Sequence, residues 1–179
     1  MLQQRERSLR VLRRVKVAFA GDASVGKTSI IMKYLGVRDI SQIRKTRGVS
    51  IENAKYAGTE LIIWDFSGQE HFRDIIVPFL TGSHIVVLVF DLSEAKTLYN
   101  LIDKWSEYVR KTLGSNIPTI IVGNKRDIKR LSDDFIQEAI QKIREKINVL
   151  LYLETSAVTG EGISTLFDKL FQYAQAVQV

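Results

Sequence analysis

Cysteine is absent from all 179 residues. Disulfides, thiolate metal sites, cysteine nucleophiles and cysteine-linked lipids are therefore excluded for this chain, prenylation included. A reducing compartment fits that composition. Proline is scarce, with only Pro78 and Pro118, and no low-complexity stretch, repeat or long linker occurs. Long apolar runs are missing too. The longest, residues 85–90, is far below the ~20 residues that a membrane-spanning helix needs. The arginine-rich N-terminus is not followed by the apolar stretch of a secretory signal, and Leu2 stands where N-myristoylation requires glycine. The body also lacks an excess of one charge sign. Residues 1–16 hold Arg5, Arg7, Arg10, Arg13, Arg14 and Lys16 against Glu6, while the remainder holds 20 basic and 19 acidic side chains. A uniformly basic nucleic-acid binder is thereby disfavoured.

What is present reads as one globular domain. A chain that is 45% hydrophobic and 26% charged is ordinary in composition. At this length it buries a sizeable core without cross-links. Residues 15–20 read as a strand, 21–26 as a loop and 27–35 as a helix. Residues 50–57 and 61–66 read as two strands joined by a turn at Gly58-Thr59. So short a connection demands an antiparallel hairpin, because a parallel pair needs a crossover. Residues 85–91 and 119–123 are continuous apolar runs, as expected of strands covered on both faces, and 149–153 are a weaker last strand. Leu98, Leu101, Ile102, Trp105, Val109 and Leu113 follow helical spacing, as do Phe135, Ile136, Ala139, Ile140, Ile143 and Ile147. Ser132, Asp133 and Asp134 suit the start of that second helix. Ile163, Leu166, Phe167, Leu170 and Phe171 describe a last one. Strands alternating with helices predict a mostly parallel sheet with helices on both faces, whose ligands sit beyond the C-terminal strand ends.

The short motifs fall at those ends. Gly21-Asp22-Ala23-Ser24-Val25-Gly26-Lys27-Thr28 follows a strand and opens a helix, which is the context of a phosphate-binding loop. Its glycines let backbone amides approach phosphate, and the helix N-terminus adds partial positive charge. Lys27 would reach the β- and γ-phosphates, and the Thr28 hydroxyl would bind Mg²⁺. Asn124-Lys125-Arg126-Asp127 follows another strand. The Asp127 carboxylate can accept from N1–H and the 2-amino group of guanine, a donor pair adenine lacks, so guanine is favoured. In Trp64-Asp65-Phe66-Ser67-Gly68-Gln69-Glu70, Asp65 is placed to hold Mg²⁺ through water. Gly68 is placed to offer its amide to a γ-phosphate, and Gln69 to orient an attacking water. Glu154-Thr155-Ser156-Ala157 follows the last strand, where the Ala157 amide would meet the guanine oxygen.

In the order and spacing of these four segments, over about residues 14–175, the sequence resembles the Ras superfamily of small GTPases. Gly68-Gln69-Glu70-His71-Phe72-Arg73 and Thr46-Arg47-Gly48-Val49 are similar to Rab proteins. The Trp-Asp-Phe-Ser-Gly stretch also looks like Roc-type GTPase domains. The resemblance implies an α/β fold of the P-loop NTPase type, a three-layer sandwich with a mixed, mostly parallel six-stranded sheet and five helices. It implies GTP or GDP with Mg²⁺, and Thr46 as the switch threonine that coordinates the metal and senses the γ-phosphate. Residues 37–48 would form the first switch, and Gly68 to about residue 80 the second. Catalysis would rest on Gln69, Lys27, Thr46 and Gly68. The nucleotide would be held by residues 21–28 with Ser29, by Thr46 and Gly68, and by Asn124, Lys125, Asp127, Ser156 and Ala157. Thr28, Thr46 and Asp65 would serve the metal. The domain would span residues 14–179 behind a basic extension, residues 1–13.

The function so implied is a slow, monomeric, GTP-hydrolysing switch in signalling or membrane traffic. Its partners would be effectors, an exchange factor and a GTPase-activating protein, and its location cytoplasmic or peripheral to a membrane. A nucleotide-binding scaffold with little hydrolysis is the alternative; a phosphotransferase fits the guanine-selecting segments poorly. Departures from the family pattern bear on the choice. Asp39 stands where an aromatic residue often covers guanine, leaving Ile40 or Ile43 to substitute. Ser67 replaces the usual alanine, either adding a hydroxyl near the γ-phosphate or pointing away. Arg38, Arg44, Lys45 and Arg47 make the first switch basic: a solvated loop, a contact with an acidic partner or a membrane, or a cis arginine finger at Arg47. Met1, Leu2, Leu9 and Leu12 share one arc of a potential N-terminal helix. Residues 1–16 could thus touch anionic lipid, or a partner or nucleic acid, although Arg5 interrupts the arc and a disordered or solvated tail is the first reading. Trp105 fits a core face, and Trp64 reads as structural rather than cofactor-binding.

Overall fold

The computed structural model describes residues 12–39, 41, 43–44, 46–69 and 73–177. Ile40, Lys45, residues 70–72 and the N-terminal arc up to Leu9 lie outside them. Six strands form one sheet: β1 Arg13–Ala20, β2 Val49–Tyr56, β3 Thr59–Phe66, β4 Ile85–Asp91, β5 Thr119–Asn124 and β6 Val149–Glu154. Their order is β2-β3-β1-β4-β5-β6, and every pairing is parallel except β2 with β3. The helices are α1 Lys27–Tyr34, α2 Arg73–Leu80, α4 Asp133–Arg144 and α5 Ile163–Ala176, with α3 between β4 and β5. Helix α3 is continuous but not uniform, running through Ala95–Asn100, a π-helical segment Leu101–Trp105, and Ser106–Leu113. The mixed six-stranded sheet and five helices are those the resemblance implies.

The hairpin turn is displaced by one residue from the Gly58-Thr59 expectation. Its central residues are Ala57 and Gly58, at φ 48° and 80°, and Thr59 already pairs with Tyr56. Two positive φ angles match the twist of the flanking strands, and that fit outweighs the small cost of placing alanine there.

Two apolar layers flank the sheet because neighbouring strand residues point to opposite faces. Val15, Val17 and Phe19 of β1 join Ile30, Leu166, Phe167 and Leu170 on one side. Ala18 and Ala20 join Ile76, Leu98, Trp105, Ile136 and Ile140 on the other. The Ser132 hydroxyl accepts from the Phe135 amide and caps α4. Periodicity carried that helix to Ile147; it ends at Arg144, and Ile147 stays buried just beyond it. Two β1 cations tie other elements to the sheet. The Arg13 guanidinium donates to the Gln175 carbonyl at 2.8 Å, at the end of α5. Lys16 Nζ lies 4.0 Å from the Trp64 ring centroid and donates to the carbonyls of Phe79 at 2.6 Å and Thr81 at 2.8 Å, closing the end of α2.

Candidate functional site

The loops after β1, β3, β5 and β6 meet along one edge of the sheet, and a cleft there is lined by Lys27, Thr28, Thr46, Ser67, Gly68 and Gln69. Residues 21–26 form its floor. Gly26 takes φ 97° at the head of α1, and a Cβ there would lie 2.2 Å from Asn124 Nδ2. Only glycine meets both demands. The Lys27 ammonium is buried and donates to the carbonyls of Gly21 at 2.9 Å and Asp22 at 2.8 Å. Burial pushes its pKa down to about 8, against the attraction of Asp65 and then Asp22. A phosphate ester placed here would meet a cation already aimed into the loop.

Beside Lys27, three oxygens from three segments converge. Thr28 Oγ1 stands 2.7 Å from Thr46 Oγ1. Both hydroxyls donate to Asp65 Oδ2, Thr46 at 3.0 Å. The second carboxylate oxygen, Asp65 Oδ1, is buried without a hydrogen-bond partner among the described residues. Burial raises the Asp65 pKa, opposed by the Thr28 hydroxyl and the Lys27 charge. A buried, half-satisfied carboxylate next to two hydroxyls is a set of hard oxygens suited to Mg²⁺.

Gly68 presses on the floor of the cleft from above. A Cβ added to it would lie 2.1 Å from the Asp22 carbonyl carbon and 2.2 Å from the Ala23 nitrogen. The buried Ser67 hydroxyl neither faces outward nor stands idle. It accepts from the Gln69 amide at 3.3 Å, while the Ser67 amide donates to the Gly48 carbonyl at 2.8 Å. Asp39 is exposed and engaged in its own turn, accepting from the Ser41 amide at 3.0 Å. Ile43 and Arg44 line the cleft instead. Arg38 and Arg47 are exposed.

The loops after β5 and β6 are knitted by Asn124. Its side chain is buried, and Nδ2 donates to the Val25 carbonyl at 2.9 Å. Its Oδ1 accepts from the Thr155 hydroxyl at 3.0 Å and from the Ala157 amide at 3.3 Å. Asn124 thus joins the phosphate loop to the loop after β6. Lys125 sits at φ 66°, and its ammonium meets Asp91 Oδ2 at 2.5 Å. Burial would raise Asp91, but Lys125 and the Ser93 donors hold its carboxyl below the usual range. Asp127 is exposed, its Oδ1 accepting from the Ser156 hydroxyl at 2.6 Å.

Every residue singled out for phosphate, metal or base therefore lies along this edge. Spacing did not reveal the bracing role of Asn124 or the hold on Asp22. The Asp22 carboxylate accepts from Trp105 Nε1 at 2.9 Å and from Asn100 Nδ2 at 2.5 Å. A buried indole N–H needs a partner, which was the one available signal for Trp105; its partner, 83 positions upstream, was not predictable from helical spacing.

A family model described as "Ras family" matches residues 16–176 of this chain. The chain is also similar to a protein of Dictyostelium discoideum described as Ras-related protein Rab-4. The two are 34% identical over 159 residues, covering 87% of this chain and 76% of that one.

Proposed function

The chain belongs to the Ras family of small GTPases, as a Rab-like member that binds and hydrolyses GTP, and from this we propose a Mg²⁺-dependent switch read by effectors in membrane traffic or signalling. The observation that carries the proposal is the meeting of Thr28, Thr46 and Asp65 beside the Lys27 ammonium. One residue comes from the phosphate loop, one from the segment before β2 and one from the end of β3. A ligand that engages all three must order the segments that carry them, and its loss must release them.

Thr28, Thr46 and Asp65 would hold Mg²⁺, directly or through water; the bound ion would neutralise charge on the phosphate oxygens. Lys27 binds and stabilises the phosphoryl oxygens, and the Gly68 amide is placed to donate to the same group. Gln69 orients the attacking water, with its own amide tethered to Ser67. Asp127, braced by Ser156, recognises the guanine N1–H and 2-amino group. Asn124 holds the base loops against the phosphate loop.

The test is a single-turnover assay with Mg²⁺ on purified chain, after identifying the nucleotide it carries. Intrinsic hydrolysis should be slow, on the order of 10⁻⁴–10⁻² s⁻¹ without an activating partner. Gln69→Leu should slow it further and spare GTP affinity; unchanged hydrolysis removes Gln69 from the mechanism. Equal affinity of a captured partner for the GTP- and GDP-loaded chain would favour the scaffold reading. For the basic residues before β1 a solvated tail is the first reading, and a weak contact with anionic lipid is the one a deletion can test. A chain lacking residues 1–11 should hydrolyse GTP normally and lose retention on phosphatidylserine vesicles; retained binding would remove that role.

A further inference from the structure

Helix α3 changes pitch between the two residues that grip the phosphate loop. Asn100 ends its first α-helical stretch and Trp105 ends the π-helical segment. In a regular α-helix, positions five apart point ~140° away from one another, so one carboxylate could not accept from both. The wider π turn closes i→i+5 and brings such positions onto one face. Here that face carries two donors, Asn100 Nδ2 and Trp105 Nε1, and each meets a different oxygen of the Asp22 carboxylate. Trp105 is buried, so its donor direction is fixed by packing.

The backbone held by this grip is central to the cleft. The Asp22 carbonyl is one of the two acceptors that place the Lys27 ammonium. The Asp22–Ala23 peptide is also the surface on which Gly68 rests, with no space for a Cβ between them. One peptide unit thus has the α3 donors on its side chain, the lysine on its carbonyl and the second switch on its face.

We propose that Asn100 and Trp105 are positioning residues for GTP: the π-turn clamp on Asp22 sets the phosphate-loop peptide against which Gly68 docks when the γ-phosphate is bound. The inference rests on the guanine-nucleotide reading of the cleft. It assigns the clamp to the γ-phosphate end of the ligand, because that is where Lys27 and Gly68 meet. Loss of the clamp therefore weakens the GTP-bound arrangement more than the GDP-bound one. A purely structural role would weaken both alike.

The experiment measures affinity for fluorescent GDP and for a non-hydrolysable GTP analogue, together with single-turnover hydrolysis, on the full chain. Trp105→Phe removes one donor and keeps an aromatic, though smaller, ring in the core; Asn100→Ala removes the other. Each should weaken the analogue about tenfold, as loss of a hydrogen bond to a charged acceptor does, slow hydrolysis by a similar factor, and leave GDP within about threefold. Asn100→Asp alone sets two carboxylates against each other and should be worse. Combined with Asp22→Asn it should recover, because the new amide oxygen accepts from Trp105 Nε1 while its NH₂ donates to the new carboxylate. Equal losses for both nucleotides, no loss for either, or failure of the swap to recover the analogue's affinity would overturn the clamp. A wild-type chain that binds neither nucleotide would sink the underlying reading instead.

Discussion

Gly68→Ala isolates the docking of the second switch from the binding of the nucleotide. Gly68 is not among the residues at positive φ, so alanine meets no backbone objection there. The obstacle is space. The new methyl would lie 2.1 Å from the Asp22 carbonyl carbon and 2.3 Å from its oxygen, whereas ordinary contacts begin near 3.4 Å. Both obstructing atoms are backbone, held through Asp22 by the α3 donors and through its carbonyl by Lys27. The phosphate loop cannot retreat cheaply, so the switch must lift by more than an ångström. A misplacement of ~1 Å can cost ~10²-fold in rate, about 2.7 kcal/mol of activation free energy. Single-turnover hydrolysis should therefore fall about a hundredfold. GDP affinity, which relies on the phosphate loop and the base loops, should stay within about threefold, well under 1 kcal/mol. Quenched-flow phosphate release and fluorescent-GDP titration read the two quantities separately. Hydrolysis within a few-fold of wild type would refute the reasoning, because it would mean that the Gly68–Asp22 contact is absent when GTP reacts.

Lys27 gives a pH signature. Its pKa in the folded chain is lowered from 10.5 to about 8, so the folded chain releases this proton before the unfolded one does. Burial of the ammonium is thus a liability below pH 8 that is relieved as pH rises toward 10.5. Phosphate favours the ammonium, so nucleotide binding should take up a proton above that pH. GDP affinity should then fall by up to about tenfold per pH unit above 8, a slope that Lys27→Ala should abolish; equal slopes would assign the titration elsewhere. Asn124→Ala should lower stability by about 3 kcal/mol, because it strands the buried Thr155 hydroxyl and the Val25 carbonyl. Thermal denaturation should show a drop of roughly 6–12 °C; a drop under ~2 °C would mean the loops are held without it.

The mixed, mostly parallel sheet and the site's location were legible because they follow from strong, local signals. Continuous apolar runs marked β4 and β5 as covered on both faces, and the motif of residues 21–28 could sit only between a strand and a helix. Boundaries were less so. The turn at Ala57 hides because nothing in an alanine announces a positive φ, and the end of α4 hides because Ile147 continues the apolar spacing after the helix has stopped. The π-helical segment was invisible for a related reason: Leu101, Ile102 and Trp105 satisfy α-helical spacing well enough that no residue flags the wider turn. Within the site, residue types suggested roles that depend on direction. Asn124 reads from its motif as one of the residues that hold the nucleotide; that its amide also ties together Val25, Thr155 and Ala157 is not legible there. Such partners are 30 to 100 positions away, and no local pattern encodes them. The Ser67 substitution was legible as a departure; that its hydroxyl accepts from Gln69 required the fold.

Lys16 gives the second switch a fixed pivot. Its ammonium holds the carbonyls of Phe79 and Thr81 while lying over the Trp64 ring, so the trailing end of α2 is moored to the sheet by contacts that involve none of the cleft residues. Each residue that must be frozen when GTP arrives consumes ~1–2 kcal/mol of the ligand's preference for the ordered form. Residues from Phe79 onward make no such demand. A switch built on the proposed cleft would therefore have a short lever, with less chain for a single phosphate to order.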